Sequence, residues 1–391
     1  MSKGTIIYIG GFELPDKNAA AHRVVANAKI LKSLGYSIIF IGVDKNLKNN
    51  DNFLSTKYVF EGFDIYSVKY PSKIKEWLEF LGSIKFIKKL EGNKPKAIIA
   101  YNYPGFALLK LINYCKKKGI KLIGDCSEWY EPKGNLIFRI IKSLDVFIRM
   151  KIVQPKMDGL IVISDYLESH YKKKKLPILN IPPLVDLTMD KWKNKIQFQT
   201  SSINFVYAGS PGNGNKDRID KIISILSDIS KSNSLDFKLK IIGLSKSQYL
   251  LAFGVNSLPK NHDSFLCFKG RLSHLETLNE VSNADFFIFI RDNNLVNIAG
   301  FPTKFVESIS SGTPVLTNSS SNIKQYLVEH KNGVLLNTSI KKELKEQLIQ
   351  IINLDKNEIL KMKNFCKKSE LFDISKFEFK FNSFLKSVFN D

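Results

Sequence analysis

Short apolar runs recur along this chain, separated by longer segments whose apolar residues fall at helical spacing. TIIYIG, Thr5 to Gly10, is the first, and Gly10-Gly11 ends it. Such a run reads as a strand buried on both faces, which is the condition of a parallel sheet covered by helices. Similar runs follow at Ser37 to Val43, Asp64 to Val68, Ala97 to Ala100, Lys121 to Gly124 and Gly159 to Ile163. The pattern lapses at PPLVDLTMDKWKNKIQFQTSS, where two prolines and a polar stretch indicate a linker. It then restarts at Ile203 to Ala208, with strands at Phe237 to Gly243, Ser264 to Phe268 and Phe286 to Ile290 and helices at Asp217 to Lys231 and Leu275 to Ser282. Strands alternating with helices predict a doubly wound α/β sheet, here twice over. The expected organisation is a first domain over 1–188, a linker over 189–202, a second domain over 203–370 and a terminal helix over 371–391. The Gly10-Gly11 turn lacks the G-x-G-x-x-G spacing of a dinucleotide site.

The most chemically pointed stretch is NIAGFPTKFVESISSGTPVLTN, residues 297–318. It predicts a Gly-Phe-Pro loop, a helix from Thr303 to Ser311 and a buried strand from Pro314 to Thr317. Pro302 suits the start of a helix, and Thr303 is placed to accept from its unpaired donors. The backbone N–H groups of Thr303, Lys304 and Phe305, with the Lys304 charge, would make an anion pocket. Glu307 lies one turn on, on the same face, where a carboxylate repels phosphate but accepts from a pair of ribose hydroxyls. Phosphate and ribose side by side indicate a nucleotide. The plain alternative is a capped helix with an exposed lysine and glutamate.

This segment resembles the donor-binding signature of family 4 glycosyltransferases, the retaining GT-B enzymes, whose pattern is E-x7-E followed by a Gly-Thr-Pro-Val-type strand. Glu307 matches the second glutamate, and Ser311-Gly312-Thr313-Pro314-Val315 matches the turn after it; Ala299 stands where the first glutamate is expected. The resemblance implies two Rossmann-like domains facing a cleft, with the last helix crossing back onto the first domain and burying several of Phe377, Phe379, Phe381, Phe384 and Phe389. It implies a retaining transfer of a sugar from a nucleotide diphosphate sugar, UDP forms favoured, to a glycan or polyprenyl-diphosphate-linked acceptor in surface polysaccharide synthesis, of hexosyl or N-acetylhexosaminyl type. In that family a front-face, ion-pair-like transition state lets the leaving diphosphate take the acceptor proton.

A second phosphate-directed feature is AGSPGNGNKDR, residues 208–218. Gly209, Gly212 and Gly214 let backbone approach a ligand, and Lys216 and Arg218 bring charge to the helix start. Lys216 resembles the family lysine on the donor diphosphate, and Ser210 replaces its usual arginine. Arg291 closes the strand FFIFI at the end where α/β ligands bind; it faces the phosphates, or else pairs with Asp292 or Asp285. Arg271 and Leu272 end another strand in the loop that meets the base in the resembled family. In the first domain Gly11 lines the end of the first strand, and His22 is a cleft residue or a structural one. Asp125-Cys126-Ser127-Glu128-Trp129 offers two carboxylates and an aromatic plate for an acceptor sugar. Asp125 or Glu128 stands in for the family's histidine there, or only binds the acceptor hydroxyl. The expected catalytic set is Asp125, Glu128, Lys216 and Arg291; the donor set adds Gly11, Gly209, Arg218, Arg271, Leu272, Phe301, Thr303, Lys304, Phe305 and Glu307; the acceptor side adds His22 and Trp129.

No Asp-x-Asp pair is present, so no cofactor and no obligatory metal is expected, the nucleotide sugar serving as co-substrate. A net charge of +22 favours polyanions. Without a helix-turn-helix, zinc or RNP-like pattern the charge alone supports nucleic-acid binding, which is kept as the rival reading, beside a nucleotide-sugar-binding relative that epimerises or does not turn over. The four cysteines show no metal or disulfide spacing, which fits a reducing cytoplasm. Segments 72–91 and 133–157 interleave basic with large apolar residues, as interfacial helices at an anionic membrane do. Burial within their own domain is the equal alternative.

Overall fold

The computed structural model describes residues 2–15, 17–48, 52–71, 84–131, 135–193, 202–209, 216–232 and 235–390. The chain forms two units: Met1–Leu184 with Ala299–Phe301 and Ile374–Asp391, and Val185–Ile298 with Pro302–Asp373.

The first unit is built on eight strands: β1 (Thr5–Gly10), β2 (Ser37–Asp44), β3 (Tyr58–Phe60), β4 (Phe63–Lys69), β5 (Pro95–Tyr101), β6 (Lys121–Cys126), β7 (Gly159–Val162) and β8 (Ile178–Asn180). Their order is β3-β4-β2-β1-β5-β6-β7-β8, and every pairing is parallel except the β3–β4 hairpin. The apolar runs end in the core as expected, with Ile6, Ile7 and Tyr8 fully buried. Helix Ala19–Ser33 starts where the Asn18 side chain accepts from the Ala21 N–H. Helix Glu378–Phe389 belongs to this unit and sinks Phe381, Phe384, Leu385 and Val388 into its core. Phe377 is buried too, and Phe389 stacks on Tyr36. Phe379 departs from the expectation: it points outward, 82% exposed. Gly159 is required here, because a Cβ would come within 2.8 Å of Phe384 and Val388.

The second unit holds six strands: β9 (Ile203–Ala208), β10 (Phe237–Ile242), β11 (Leu266–Gly270), β12 (Phe286–Ile288), β13 (Val315–Thr317) and β14 (Gly333–Leu335). The order is β11-β10-β9-β12-β13-β14, all parallel. The chain works outward from β9 in one direction, then returns to its other side with β12. The crevice at the carboxyl ends of β9 and β12 is therefore the topological switch point, where ligands bind in open α/β sheets.

One sequence expectation needs amending, and others lie wholly or partly outside the described residues. Helix Thr303–Ser310 is capped by Pro302 with no side-chain bond, so Thr303 is the first helical residue and not the cap. Of segment 72–91, only Ile84–Lys89 forms a described helix, with Ile87 buried; 72–83 lie outside the described residues. So do 194–201 of the linker and 210–215 of the glycine-rich loop, including Ser210, Gly212 and Gly214.

Candidate functional site

The switch point of the second unit gathers charge around a residue that the sequence reading passed over. Asp217 is 2% exposed. It accepts from the Tyr207 hydroxyl at 2.9 Å and from the Arg291 Nε at 2.7 Å, and pairs closely with the Lys304 Nζ. Burial by itself would raise the Asp217 carboxyl, but Lys304 and Arg291 overcome that and hold it far below the usual carboxylate range.

Each partner is brought by a different element. Tyr207 comes from β9, and Asp217 forms an isolated antiparallel bridge with Arg291 beyond β12. Asn318, just after β13, clamps Arg291 by accepting from its N–H and donating to its carbonyl, both at 2.8 Å. Lys304, in the first turn of helix Thr303–Ser310, lies 4.5 Å from the centre of the Tyr207 ring. It also sits under Gly209, where a Cβ would come within 2.5 Å of the Nζ and the φ is +150°. Only glycine fits there. Two cations to one carboxylate leave the cluster net positive, and water is largely excluded from it. A positive group held rigidly in a poorly solvated crevice is suited to an anion.

The expected anion pocket is thus altered in kind. The Phe305 N–H already donates to the Pro302 carbonyl, and Phe305 itself is fully buried. The half-buried Thr303 and Lys304 remain at the helix start. Arg291 pairs with neither Asp292 nor Asp285, which are engaged by Arg218 and Lys221 and by Lys356 respectively. Arg218 holds Asp220 through two bonds and Asp292 through a third, so its guanidinium is occupied by carboxylates. Lys216 is exposed at the end of the glycine-rich loop. Arg271 is exposed and Leu272 half-buried beyond β11, whose last residue, Gly270, takes a positive φ of 65°.

Glu307, one turn past Lys304, is half-buried, with its carboxylate 3.4 Å from the Nε2 of His274. His274 opens helix His274–Asn283, which Ser273 and Glu276 close with a capping box. The edge of Trp192 backs the imidazole. No periodicity in the sequence links residue 274 to 307, so His274 escaped notice.

In the first unit Asp125 is placed differently from the expectation. β6 runs two residues further than its apolar run suggests, and carries Asp125 into the interior at 0% exposure. Its oxygens accept from Tyr8, from Asn27 at 3.3 Å and from the Arg23 Nε at 3.0 Å. Arg23 in turn donates to the carbonyls of Ile181 and Pro182. Asp125 is the anchor of a buried network and offers no face to an acceptor. Glu128 is half-buried beside Tyr130, and Trp129 meets Tyr166 and His170 edge-on at 5.6 and 5.3 Å. The Arg149 guanidinium lies 4.2 Å from the centre of the Tyr130 ring and the Lys142 ammonium 5.0 Å from it. These two cations near Glu128 and Trp129 were not singled out in the sequence. Gly11 is exposed at the end of β1 and His22 half-buried near the start of helix Ala19–Ser33. Ala299 and Phe301 are buried with the first unit, and the Ala299 carbonyl accepts from the Ser164 hydroxyl at 2.7 Å.

Two Rossmann-like units with parallel sheets define the GT-B fold. Sucrose-phosphate synthase (tll1590) of Thermosynechococcus elongatus superposes with a TM-score of 0.71 at 12% identity, covering 99% of this chain and 100% of that one. A glycosyltransferase of Rickettsia africae does so at 0.70 and 13% identity, covering all of both. Anabaena Alr3699/HepE in complex with UDP gives 0.59 at 10% identity, covering 98% of this chain and 100% of that one. Residues 189–369 match the family model of the glycosyl transferases group 1. No curated protein sequence matches the chain.

Proposed function

We propose that the chain is a retaining glycosyltransferase that moves a hexosyl or N-acetylhexosaminyl group from a nucleotide diphosphate sugar, UDP forms favoured, to a glycan or lipid-linked oligosaccharide in surface polysaccharide synthesis at the cytoplasmic face of the membrane. The observation that carries this reading is the net-positive cluster of Lys304, Arg291 and Asp217 beneath Gly209, with Glu307 one turn further along the same helix. The family match over the same unit and the UDP named with the Anabaena neighbour support it.

In this mechanism the bond between the anomeric carbon and the diphosphate oxygen breaks as the acceptor oxygen approaches from the same face. The acceptor proton passes to a phosphate oxygen, so no side chain has to remove it. The work of the protein is then to stabilise the charge that grows on the leaving diphosphate. Lys304 and Arg291 supply that positive field from fixed positions, and Lys216 adds to it from the loop. Asp217 orients both cations, and its charge opposes the loss of the Lys304 proton that burial favours. Glu307, one turn past Lys304 on the same helix, accepts from the ribose hydroxyls. In the first unit, Glu128 and Trp129 take the acceptor sugar, with Asp125 holding the strand end behind them.

The test is a thermal-shift panel with UDP, GDP, ADP and CMP sugars, NAD and a short RNA, followed by transfer of radiolabelled sugar to a lipid extract. Ligand at about 100 times its Kd stabilises by roughly 2.7 kcal/mol. Stabilisation by the UDP series and labelled lipid are expected. Stabilisation by RNA alone would overturn the reading, and UDP-sugar binding with no transfer to any acceptor would replace the transferase by a binding relative.

A further inference from the structure

Helix Leu136–Phe147 in the first unit is arranged inside out. Seven of its described side chains are exposed: Leu136, Arg139, Ile140, Ile141, Ser143, Leu144 and Phe147. Five of these seven are large and apolar, and they are 50–71% exposed. Leu136, Ile140, Leu144 and Phe147 follow one another at spacings of four, four and three, so they form a stripe along one face. The helix's single acid, Asp145, is 7% exposed and accepts from the Phe106 N–H at 3.3 Å, inside the unit. The outer face therefore carries no negative side chain among the described residues. Arg139 lies on it, and Lys151 is exposed just past its end.

We propose that this face docks the protein on an anionic lipid bilayer, lying parallel to the surface with its apolar stripe among the acyl chains. An outward stripe of this kind marks an interaction surface, since water leaves it unburied. The choice of partner comes from charge: Arg139 and Lys151 are exposed beside the stripe against one exposed described acid before the helix, Glu131, on a chain of net +22, and basic side chains beside an apolar helical face suit anionic headgroups. Among the described residues no helix is long and apolar enough to cross a membrane, so contact through this helix is interfacial. The proposal deepens the reading above by bringing the transferase to the surface where a lipid-linked acceptor lies, but docking itself needs no sugar nucleotide.

The experiment is flotation of the full chain with vesicles of phosphatidylcholine, with and without about one third phosphatidylglycerol, at low and high salt, with sedimentation velocity in parallel. The chain should float with the anionic vesicles, less with the neutral ones, and less again in high salt. The pair Ile140→Ser and Leu144→Ser should lower the bound fraction at least about tenfold, since half-burying two aliphatic side chains in hydrocarbon accounts for that much. Both sites are on the surface, so the melting temperature should hold. Leu251→Ser, at an 86% exposed leucine of the second unit, should float like the wild type. Equal flotation of the paired variant, or no flotation at all, overturns the proposal. So does a dimer in solution that the pair dissociates, which would make the stripe a contact between copies. Flotation with no sugar transfer would leave the docking face standing and remove the transferase reading.

Discussion

Replacing Asp217 by asparagine tests the electrostatic centre of the second unit directly. The change keeps the shape and removes one negative charge from between two cations whose side chains are 10% and 14% exposed. Removing one member of a buried charged group leaves the others uncompensated, at a cost of about 3–5 kcal/mol. The asparagine oxygen still accepts one bond, so the lower end applies, about 3 kcal/mol. At roughly 2–4 °C per kcal/mol for a unit of this size, the melting temperature should fall by roughly 6–12 °C. The carboxylate of Asp217 is held low in the folded chain, so its contribution is present above the unfolded carboxyl pKa of about 3.9 and fades as pH falls below it. The difference between wild type and variant should therefore hold around neutral pH and shrink in acid. A nucleoside diphosphate offers the missing negative charge to Lys304 and Arg291. UDP should then raise the melting temperature of the variant more than that of the wild type, a tenfold tighter Kd adding about 1.4 kcal/mol. A variant that melts within a degree or two of the wild type would show that the cluster is not the hub described. A smaller UDP increment in the variant than in the wild type would show that phosphate does not replace the carboxylate.

Further outcomes follow from other positions. Gly209→Ala should lower stability by about 1–3 kcal/mol through strain at a positive φ, and its Cβ should displace Lys304 and weaken UDP binding, both read by calorimetry. Glu307→Gln should raise the KM for the sugar nucleotide roughly 10- to 100-fold with the fold intact, because charged hydrogen bonds are worth about 1.5–3 kcal/mol; an unchanged KM would take the ribose away from this residue. Lys363 is buried and donates to the carbonyls of Ser282, at 2.8 Å, and Ala284; burial pushes its ammonium down to about 8. The unfolded chain, with a lysine near 10.4, then binds the extra proton between these values, so stability should rise with pH across that window by up to roughly 3 kcal/mol. Urea denaturation of wild type against Lys363→Met at pH values on either side of the window isolates that gain, and parallel curves would refute it.

The strands were readable because a parallel strand covered on both faces is apolar throughout, whatever the rest of the chain does. Lys304 and Glu307 were readable for a similar local reason: three residues apart on a helix, they share a face. Asp217 was not, since its two cationic partners lie 74 and 87 residues away and no periodicity connects a loop end to another helix. Asp125 was seen as an acid at a strand end, but its burial depends on Tyr8, Arg23 and Asn27, each about a hundred residues earlier. Helix Leu136–Phe147 shows the limit of amphipathic patterning: the spacing identifies a stripe and says nothing about which side of it meets the protein. The short strands β3, β8 and β14 were missed, whereas β12 and β13, equally short, were legible because β12 opens the apolar run FFIFI and β13 lies in the Gly-Thr-Pro-Val turn.

The closing helix of the first unit has a consequence for synthesis. Phe381, Phe384 and Leu385 are core residues of a sheet whose first strand leaves the ribosome hundreds of residues earlier. The second unit, whose residues 185–298 and 302–373 are all translated before them, can complete its sheet first. The first unit must wait with an open apolar seam until helix Glu378–Phe389 arrives. A nascent chain halted before residue 374 should therefore hold a finished second unit and an unfinished first one, and the seam, exposed during that delay, is where a chaperone would bind.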